Sequence, residues 1–297
     1  MKNSLLPAFF VLFLSSLFSQ DLPVLIGDEP PQELEYTFNG TRVINGHSVD
    51  MLPKGIMEFR IEHKFGDIAG TNGGAQTMFG FDNVSDMRIA LEYGVTDKLM
   101  LGFGRCKGAG KPYRSLLDGY VKYGILKQKK GKSFVSMSLI GTAGFTYMTA
   151  SNDQSLVSNF PKFSHRFSYV SQLNIARRFN DRLSFCIMPT YVHRNYVAAD
   201  DQNELLAIGS GIRFRISSRF AVIGEYYHAF ASPNMRTNSK SSLGIALEWF
   251  TFGHNFTINI TNSSGLGELQ FIPYTTEKWS LGQFRLGFCI GRKFTKE

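Results

Sequence analysis

The stretch DMRIALEYGV, residues 86–95, alternates between apolar side chains and charged or small ones. In an extended chain the apolar residues, from Met87 to Tyr93, point to one side and the residues between them point to the other. The same pattern returns at residues 206–216 and 284–291. Each of these stretches is therefore predicted to be a strand with one apolar face and one polar face.

Reading the whole chain in this way predicts about twelve strands. They lie near residues 55–65, 86–95, 98–105, 116–126, 133–147, 166–179, 182–193, 204–216, 219–230, 241–252, 254–261 and 283–294. The connections alternate, since tight turns such as residues 96–97 follow even strands and long segments such as residues 66–85 follow odd ones. This alternation is typical of an all-β, transmembrane, antiparallel up-and-down barrel over residues 54–297.

A secreted soluble β-sandwich binding protein is the alternative fold, because strand alternation alone does not say which face meets water. Two observations favour the barrel. Gly and Ala are mixed with Arg and Glu on the polar face, which suits a crowded, curved interior. A Greek-key sandwich also has no reason to alternate short and long connections. Pro189, inside the seventh predicted strand, lacks an N–H and predicts a local bulge there.

Charged residues on the polar face must point inward in a barrel, because Arg or Lys against lipid costs about 2–4 kcal/mol near the bilayer midplane. The predicted lumen-facing residues are Glu58, Arg60, Glu62, Arg88, Glu92, Asp118, Lys122, Arg213, Arg215, Glu225, Glu248 and Arg285. They either line a narrow porin-like path for small hydrophilic solutes or pair across the lumen and close it, as in a structural scaffold.

The first twenty residues differ from the rest of the chain. Lys2 precedes an apolar run from Leu5 to Phe18, which predicts a signal peptide over residues 1–20. An exported barrel belongs in the outer membrane, with lipid as its partner and with both termini in the periplasm. We expect a monomer.

Residues 21–53 form a predicted N-terminal extension before the barrel. It contains an acidic, proline-containing stretch at residues 29–33, which reads as an extended linker, and two Asn-Gly turn signals follow at residues 39–40 and 45–46. The extension plugs the lumen, caps it from the periplasm or is flexible, and the sequence does not choose among these.

Composition excludes several functions. The net charge is +8, but the basic residues are scattered over strands and turns, so no nucleic-acid partner is expected. Cys106, Cys186 and Cys289 are an odd number at wide spacing with no metal-binding pattern. We expect them to pack inside the barrel, and we expect no metal and no cofactor.

The chain is not expected to be an enzyme, although an outer-membrane hydrolase with a rim-located active site is an alternative. Three pairs near strand ends are candidates for a base and its partner. They are His193 with Asn195, His228 with Ser232, and His165 with Ser164. No local motif joins any of these pairs.

Several short motifs are similar to a known family. They are TRVINGHS (41–48), EFRIEHKFG (58–66), FGFD (79–82), LEYGVTD (91–97), GFGR (102–105), GF (287–288) and GRKF (291–294). Together they resemble an uncharacterised outer-membrane β-barrel family of Gram-negative bacteria, known as a domain of unknown function. The resemblance covers most of the mature chain and implies a barrel in the outer membrane. It implies no substrate and no catalytic residues.

Overall fold

The computed structural model describes residues 36–110, 112–129, 132–232, 236, 238–251 and 253–295. The predicted signal peptide and the first part of the predicted extension, residues 21–35, lie outside these ranges. None of the helices in the described ranges is long and apolar enough to cross a membrane.

The described chain forms one closed antiparallel sheet of twelve strands. These are β1 Met57–Asp67, β2 Val84–Thr96, β3 Leu99–Lys107, β4 Ser115–Leu126, β5 Ser136–Thr146, β6 Phe167–Arg178, β7 Leu183–Arg194, β8 Glu204–Arg215, β9 Phe220–Phe230, β10 Ser242–Thr251, β11 His254–Thr261 and β12 Arg285–Phe294. Each strand pairs with its neighbours in sequence, and β1 pairs with β12 to close the barrel. The predicted all-β barrel of about twelve strands is confirmed, and the sandwich alternative is wrong because the strands form a single closed sheet.

The bulge predicted at Pro189 is wrong. The register between β6 and β7 is the same on both sides of the proline, with Gln172 opposite Thr190 and Ile175 opposite Ile187. On the other side of β7, Pro189 is paired directly with Ile208 of β8. The missing N–H therefore interrupts the pairing with β6 locally, without an inserted residue.

The two faces of the sheet differ as their alternation predicts. Outward-pointing residues include Leu91, Phe103, Tyr169 and Ile258, which are exposed apolar side chains, whereas the inward face carries buried polar and charged ones. Five connections, residues 97–98, 127–135, 179–182, 216–219 and 252–253, lie at one rim. Six connections lie at the other rim. Each of them except residues 108–114 is at least as long as the longest connection at the first rim. We call these the short-turn rim and the long-loop rim.

The short helices of the described ranges lie in the connections at the long-loop rim. An α-helix, α1 Glu268–Tyr274, interrupts the connection from β11 to β12, and six of its seven residues are buried. Four 3-10 helices occupy Ala75–Gly80, Val157–Asn159, Phe163–Arg166 and Trp279–Leu281. The burial of α1 shows that this connection enters the barrel and does not extend into solvent.

Candidate functional site

Residues 41–48 form a tight β-hairpin, which we call the inserted hairpin. The Ser48 N–H donates to the Thr41 carbonyl (3.0 Å), and the Val43 N–H donates to the Gly46 carbonyl (2.8 Å). One of the two Asn-Gly turn signals forms its tip. Every residue of the hairpin is buried. The closed twelve-strand sheet does not include it.

The tip of the inserted hairpin binds the carboxylate of Glu225 on β9. The backbone N–H groups of Ile44, Asn45 and Gly46 donate to the two carboxylate oxygens at 2.9, 3.0 and 2.9 Å. Gly46 allows this approach, since a Cβ there would lie 2.1 Å from the hydroxyl oxygen of Tyr227. A tight turn of N–H groups around a carboxylate is a strong, charge-assisted arrangement.

The base of the inserted hairpin is held by the opposite wall. Lys122 on β4 donates to the carbonyls of Thr41 (3.1 Å) and Asp50 (2.6 Å). The Thr41 hydroxyl donates to Glu92 on β2 at 2.5 Å. The hairpin thus spans the lumen from β2 and β4 to β9.

Two amides on β6 hold the second strand of the hairpin. Asn174 donates to the carbonyls of His47 (3.0 Å) and Ser48 (2.5 Å), and Gln172 donates to the same His47 carbonyl (3.2 Å). Neither amide is among the predicted lumen-facing residues, which are all charged. Their position on the polar face of β6 is the sequence feature that identifies them as lumen-facing residues.

Helix α1 enters the lumen from the long-loop rim and meets the inserted hairpin. Glu268 accepts hydrogen bonds from the Arg42 guanidinium (3.3 Å) and from the His47 N–H (3.1 Å). Arg42 also lies 4.0 Å from Glu62 on the wall. Arg42 therefore connects the hairpin, the helix and the barrel. No periodicity marks Glu268 in the sequence, because it lies in a long connection.

His47 is neutral at this junction. Burial lowers the pKa of its imidazole well below the usual range, and the nearby cations Arg42 and Lys122 act in the same direction. The ring packs edge-on against Tyr120, with 4.4 Å between ring centroids. His47 thus fills space in the lumen without adding charge.

A cluster at the long-loop rim holds the far end of α1. Arg194 is fully buried and donates to Asp201 (2.7 Å) and to the Tyr274 hydroxyl (3.1 Å). Arg236 donates to Asp201 (2.5 Å) and to the Pro273 carbonyl. Burial alone raises the pKa of Asp201, but the hydrogen bonds from both arginines outweigh it and lower that pKa below its usual range. We call this cluster the loop latch.

The wall beneath the hairpin carries a continuous chain of ion pairs. Arg60 pairs with Glu58 and with Glu62, both at 3.1 Å, and Arg88 pairs with Glu62 (2.8 Å) and with Asp118 (2.6 Å). On the other side of the barrel, a separate ion pair joins an arginine on β8 to a glutamate on β10, with 2.7 Å between the charged atoms. Each carboxylate in this chain has an arginine partner, as buried charges require.

All twelve predicted lumen-facing residues lie on the inward side of their strands. Ten of them are at most 7% exposed, and two at strand ends, Arg215 and Arg285, are half-buried. Among the described residues, the cysteines 106, 186 and 289 are buried and free. No group of three or more His, Cys, Asp or Glu side chains in the same ranges is arranged to hold a metal ion.

Two of the three predicted histidine pairs are not supported by hydrogen bonds in the described chain. Asn195 donates to the carbonyl of Ser164 (2.7 Å) and not to His193. The His193 ring lies 3.9 Å from Glu204 instead. His165 stacks on a tyrosine ring with 4.5 Å between centroids.

The third pair is replaced by a different contact. Ser232 hydrogen-bonds Gln202 (2.6 Å), whereas His228 Nδ1 lies 2.9 Å from the hydroxyl oxygen of Ser241. The Tyr226 hydroxyl donates to the same oxygen at 3.0 Å. His228 and Tyr226 point outward from β9 near the long-loop rim, and both are exposed.

A closed sheet with an apolar outer face and buried charges inside defines a membrane-spanning β-barrel. Residues 38–294 match the model of a family described as "Membrane bound beta barrel domain (DUF5777)". The chain belongs to this family, and the resemblance drawn from its motifs is confirmed.

Solved structures with similar backbones include two described as porins. "NanC porin structure in rhombohedral crystal form" is 12% identical over 81% of this chain and 100% of that chain, with a TM-score of 0.49. "KdgM porin" is 9% identical over 82% and 99%, with a TM-score of 0.46. "LpxR from Salmonella typhimurium" is 10% identical over 81% and 100%, with a TM-score of 0.38. No curated protein sequence matches the chain.

Proposed function

We propose that this chain is a non-enzymatic outer-membrane barrel whose lumen is a pathway for small hydrophilic solutes, closed at rest by the inserted hairpin. One observation carries the proposal: the hairpin is buried across the lumen, with hydrogen bonds to β2, β4, β6 and β9. Of the alternatives for the N-terminal extension, this favours the plug for residues 36–53.

The burial of the wall charges supports a closed resting state. Glu58, Arg88, Glu92 and Lys122 are each at most 1% exposed, whereas the side chains that line a water-filled pore are hydrated. Such charges are stable away from water only because each has a partner. The resting lumen is therefore filled by paired side chains and by two inserted segments.

The connectivity of the sheet supports a removable plug. The ladder closes through β1 and β12, and the inserted hairpin adds no strand to it. Undocking the hairpin breaks side-chain and tip contacts and leaves every strand pair intact. In the proposed orientation the short-turn rim faces the periplasm. The start of β1 and the end of β12 lie at this rim, so the hairpin enters from that side.

The test is single-channel recording in a planar bilayer, comparing the full chain with a deletion of residues 21–53. We expect the full chain to be closed most of the time and the deletion to conduct steadily. A heat-dependent shift in gel mobility verifies that the deleted barrel is folded. If the folded deletion variant does not conduct, the solute pathway is contradicted and the structural scaffold remains as the function.

A disulfide between the hairpin and the barrel wall tests whether the hairpin itself closes the lumen. A Cβ placed on Gly211 would lie 2.8 Å from Cys186 Sγ and 2.9 Å from a methyl carbon of Val43, so both side chains converge at one point of the wall. We expect Val43→Cys to form a disulfide with Cys186 on oxidation, in a chain whose two other cysteines are alanine. Oxidation should abolish the rare openings and reduction should restore them. Val43→Cys without Cys186 is the matched control.

Hydrolysis at the rim is the second candidate function, favoured by the contact between Ser241 and His228. A hydroxyl beside an imidazole is the arrangement of a nucleophile and its base, and here both lie at the long-loop rim. The test is release of fatty acid from phospholipid vesicles by the purified chain and by Ser241→Ala, with Ser232→Ala as the matched control. Release that Ser241→Ala abolishes supports this candidate, and no release by the unmodified chain excludes it.

A further inference from the structure

We propose that the pathway uncovered when the inserted hairpin leaves is selective for cations and admits solutes that carry guanidinium or ammonium groups. This inference rests on the proposed function above. It follows from which wall groups the hairpin covers at rest.

The hairpin offers mainly hydrogen-bond donors to carboxylates. Three backbone N–H groups bind Glu225, the Thr41 hydroxyl binds Glu92, and Arg42 lies between Glu268 and Glu62. A buried carboxylate is stable only with such partners. The docked hairpin thus satisfies four acidic groups.

The wall cation that the hairpin covers is Lys122, which binds two carbonyls of the N-terminal segment. Apart from Lys122 and the carboxylates, the wall groups that hydrogen-bond the hairpin are neutral amides on β6. Undocking therefore uncovers more negative charge than positive charge.

Two carboxylates lose every hydrogen bond that the described chain gives them. All hydrogen bonds to Glu225 come from residues 44–46, and those to Glu268 come from Arg42 and His47. Glu62 differs, because it keeps its arginine partners on β1 and β2. The open path consequently contains two carboxylates, one on β9 and one on α1, that keep no hydrogen bond within the described chain.

Unpaired carboxylates in a narrow path with low-dielectric walls attract cations and repel anions. The docked hairpin shows which chemistry fits, since a guanidinium already lies 3.3 Å from Glu268 and a cluster of N–H donors surrounds Glu225. A permeating solute replaces these donors. Guanidinium and ammonium groups supply several N–H donors and a positive charge, whereas anionic solutes supply neither.

The test is the reversal potential of the barrel lacking residues 21–53 in a tenfold gradient of KCl. We expect potassium to permeate roughly tenfold better than chloride, the lower end of the focusing effect in charged clefts. Glu225→Gln and Glu268→Gln should each reduce this ratio, and together they should bring it near one. Glu204→Gln, which removes an exposed carboxylate on the outer face of β8, is the matched control and should leave the ratio unchanged.

A second measurement addresses the solute class. L-Arginine amide added on one side should interrupt the potassium current, and the interruption should weaken in Glu225→Gln. L-Citrulline amide, which has nearly the same shape with an uncharged side chain, should interrupt the current less.

The outcomes separate the inference from the function on which it rests. Steady conductance with no preference for potassium, or a preference that both glutamine variants leave intact, overturns the cation inference while the solute pathway stands. Silence of a folded deletion overturns both.

Discussion

Glu225→Ala in the full chain should release the inserted hairpin without unfolding the barrel. The carboxylate accepts hydrogen bonds from three consecutive backbone N–H groups, at 2.9–3.0 Å. A hydrogen bond to a charged group contributes about 1.5–3 kcal/mol, and neighbouring bonds are not additive. After undocking, the N–H groups also find water. We therefore take about 3 kcal/mol as the net loss, which raises the undocked fraction roughly 100-fold.

An arginine-specific protease measures this undocked fraction. Arg42 is 5% exposed in the docked hairpin, so cleavage after it requires undocking. When opening and closing are fast, the cleavage rate follows the open population. We expect cleavage after Arg42 to rise roughly 100-fold in Glu225→Ala, by the same estimate. The thermal midpoint of the barrel should change little, because no strand pair is lost.

Glu204→Gln is the control for the protease experiment, since it alters a carboxylate outside the lumen. Glu225→Gln should give an intermediate rate, because its carbonyl oxygen still accepts hydrogen bonds but carries no charge. An unchanged cleavage rate in Glu225→Ala would refute the claim that this carboxylate holds the tip. A rate increase accompanied by a large fall in the thermal midpoint would show that Glu225 stabilises the barrel and not the docking.

Three further predictions concern the other contacts in the lumen. Arg88→Leu should lower the free energy of unfolding by about 3–5 kcal/mol in urea titration, because it leaves the buried carboxylate of Asp118 without its arginine and removes one of the arginine partners of Glu62. Arg215→Leu, at a half-buried strand end, should cost far less. Gly46→Val should raise the undocked fraction in the protease assay, because its side chain overlaps a tyrosine ring, whereas Gly110→Ala, which meets open space, should not. The lowered pKa of Asp201 means that this group takes up a proton more readily in the unfolded loop, so the loop latch stabilises above about pH 4 and weakens as pH falls through the lowered pKa. Proteolysis of residues 262–284 should therefore increase only below about pH 4, and Asp201→Asn should show the increase at neutral pH.

Most of the fold follows from local sequence. The number of strands and their inward and outward faces agree with the alternation, and observed strand ends lie within three residues of the expected ones, as with Ser136 against the predicted Ser133. The agreement has a simple cause. Strand alternation is a property of ten neighbouring residues, and a side chain of the wrong polarity against lipid is costly.

The candidate site was only partly predictable. The alternation along each strand places Glu225 and Lys122 inward, but it does not show which group each one binds. Their partners come from the N-terminal segment, which is 72 to 181 residues away along the chain. Glu268 carries no periodic signal, because it lies in a connection with a short helix. The bulge predicted at Pro189 is absent, since a missing N–H leaves a gap in the pairing as readily as it causes a bulge.

The sequence by itself determined that the chain folds as a barrel, which side chains face inward, and that the turns at residues 39–40 and 45–46 precede it. Only the tertiary structure decided that the lumen is filled, because docking of the inserted hairpin depends on groups that the closure of the barrel brings together. A local pattern specifies which face a residue occupies. The pairing of buried charges is specified only when β2, β4, β9 and α1 surround the same space, since a carboxylate removed from water is stable only beside a donor that the folded chain supplies.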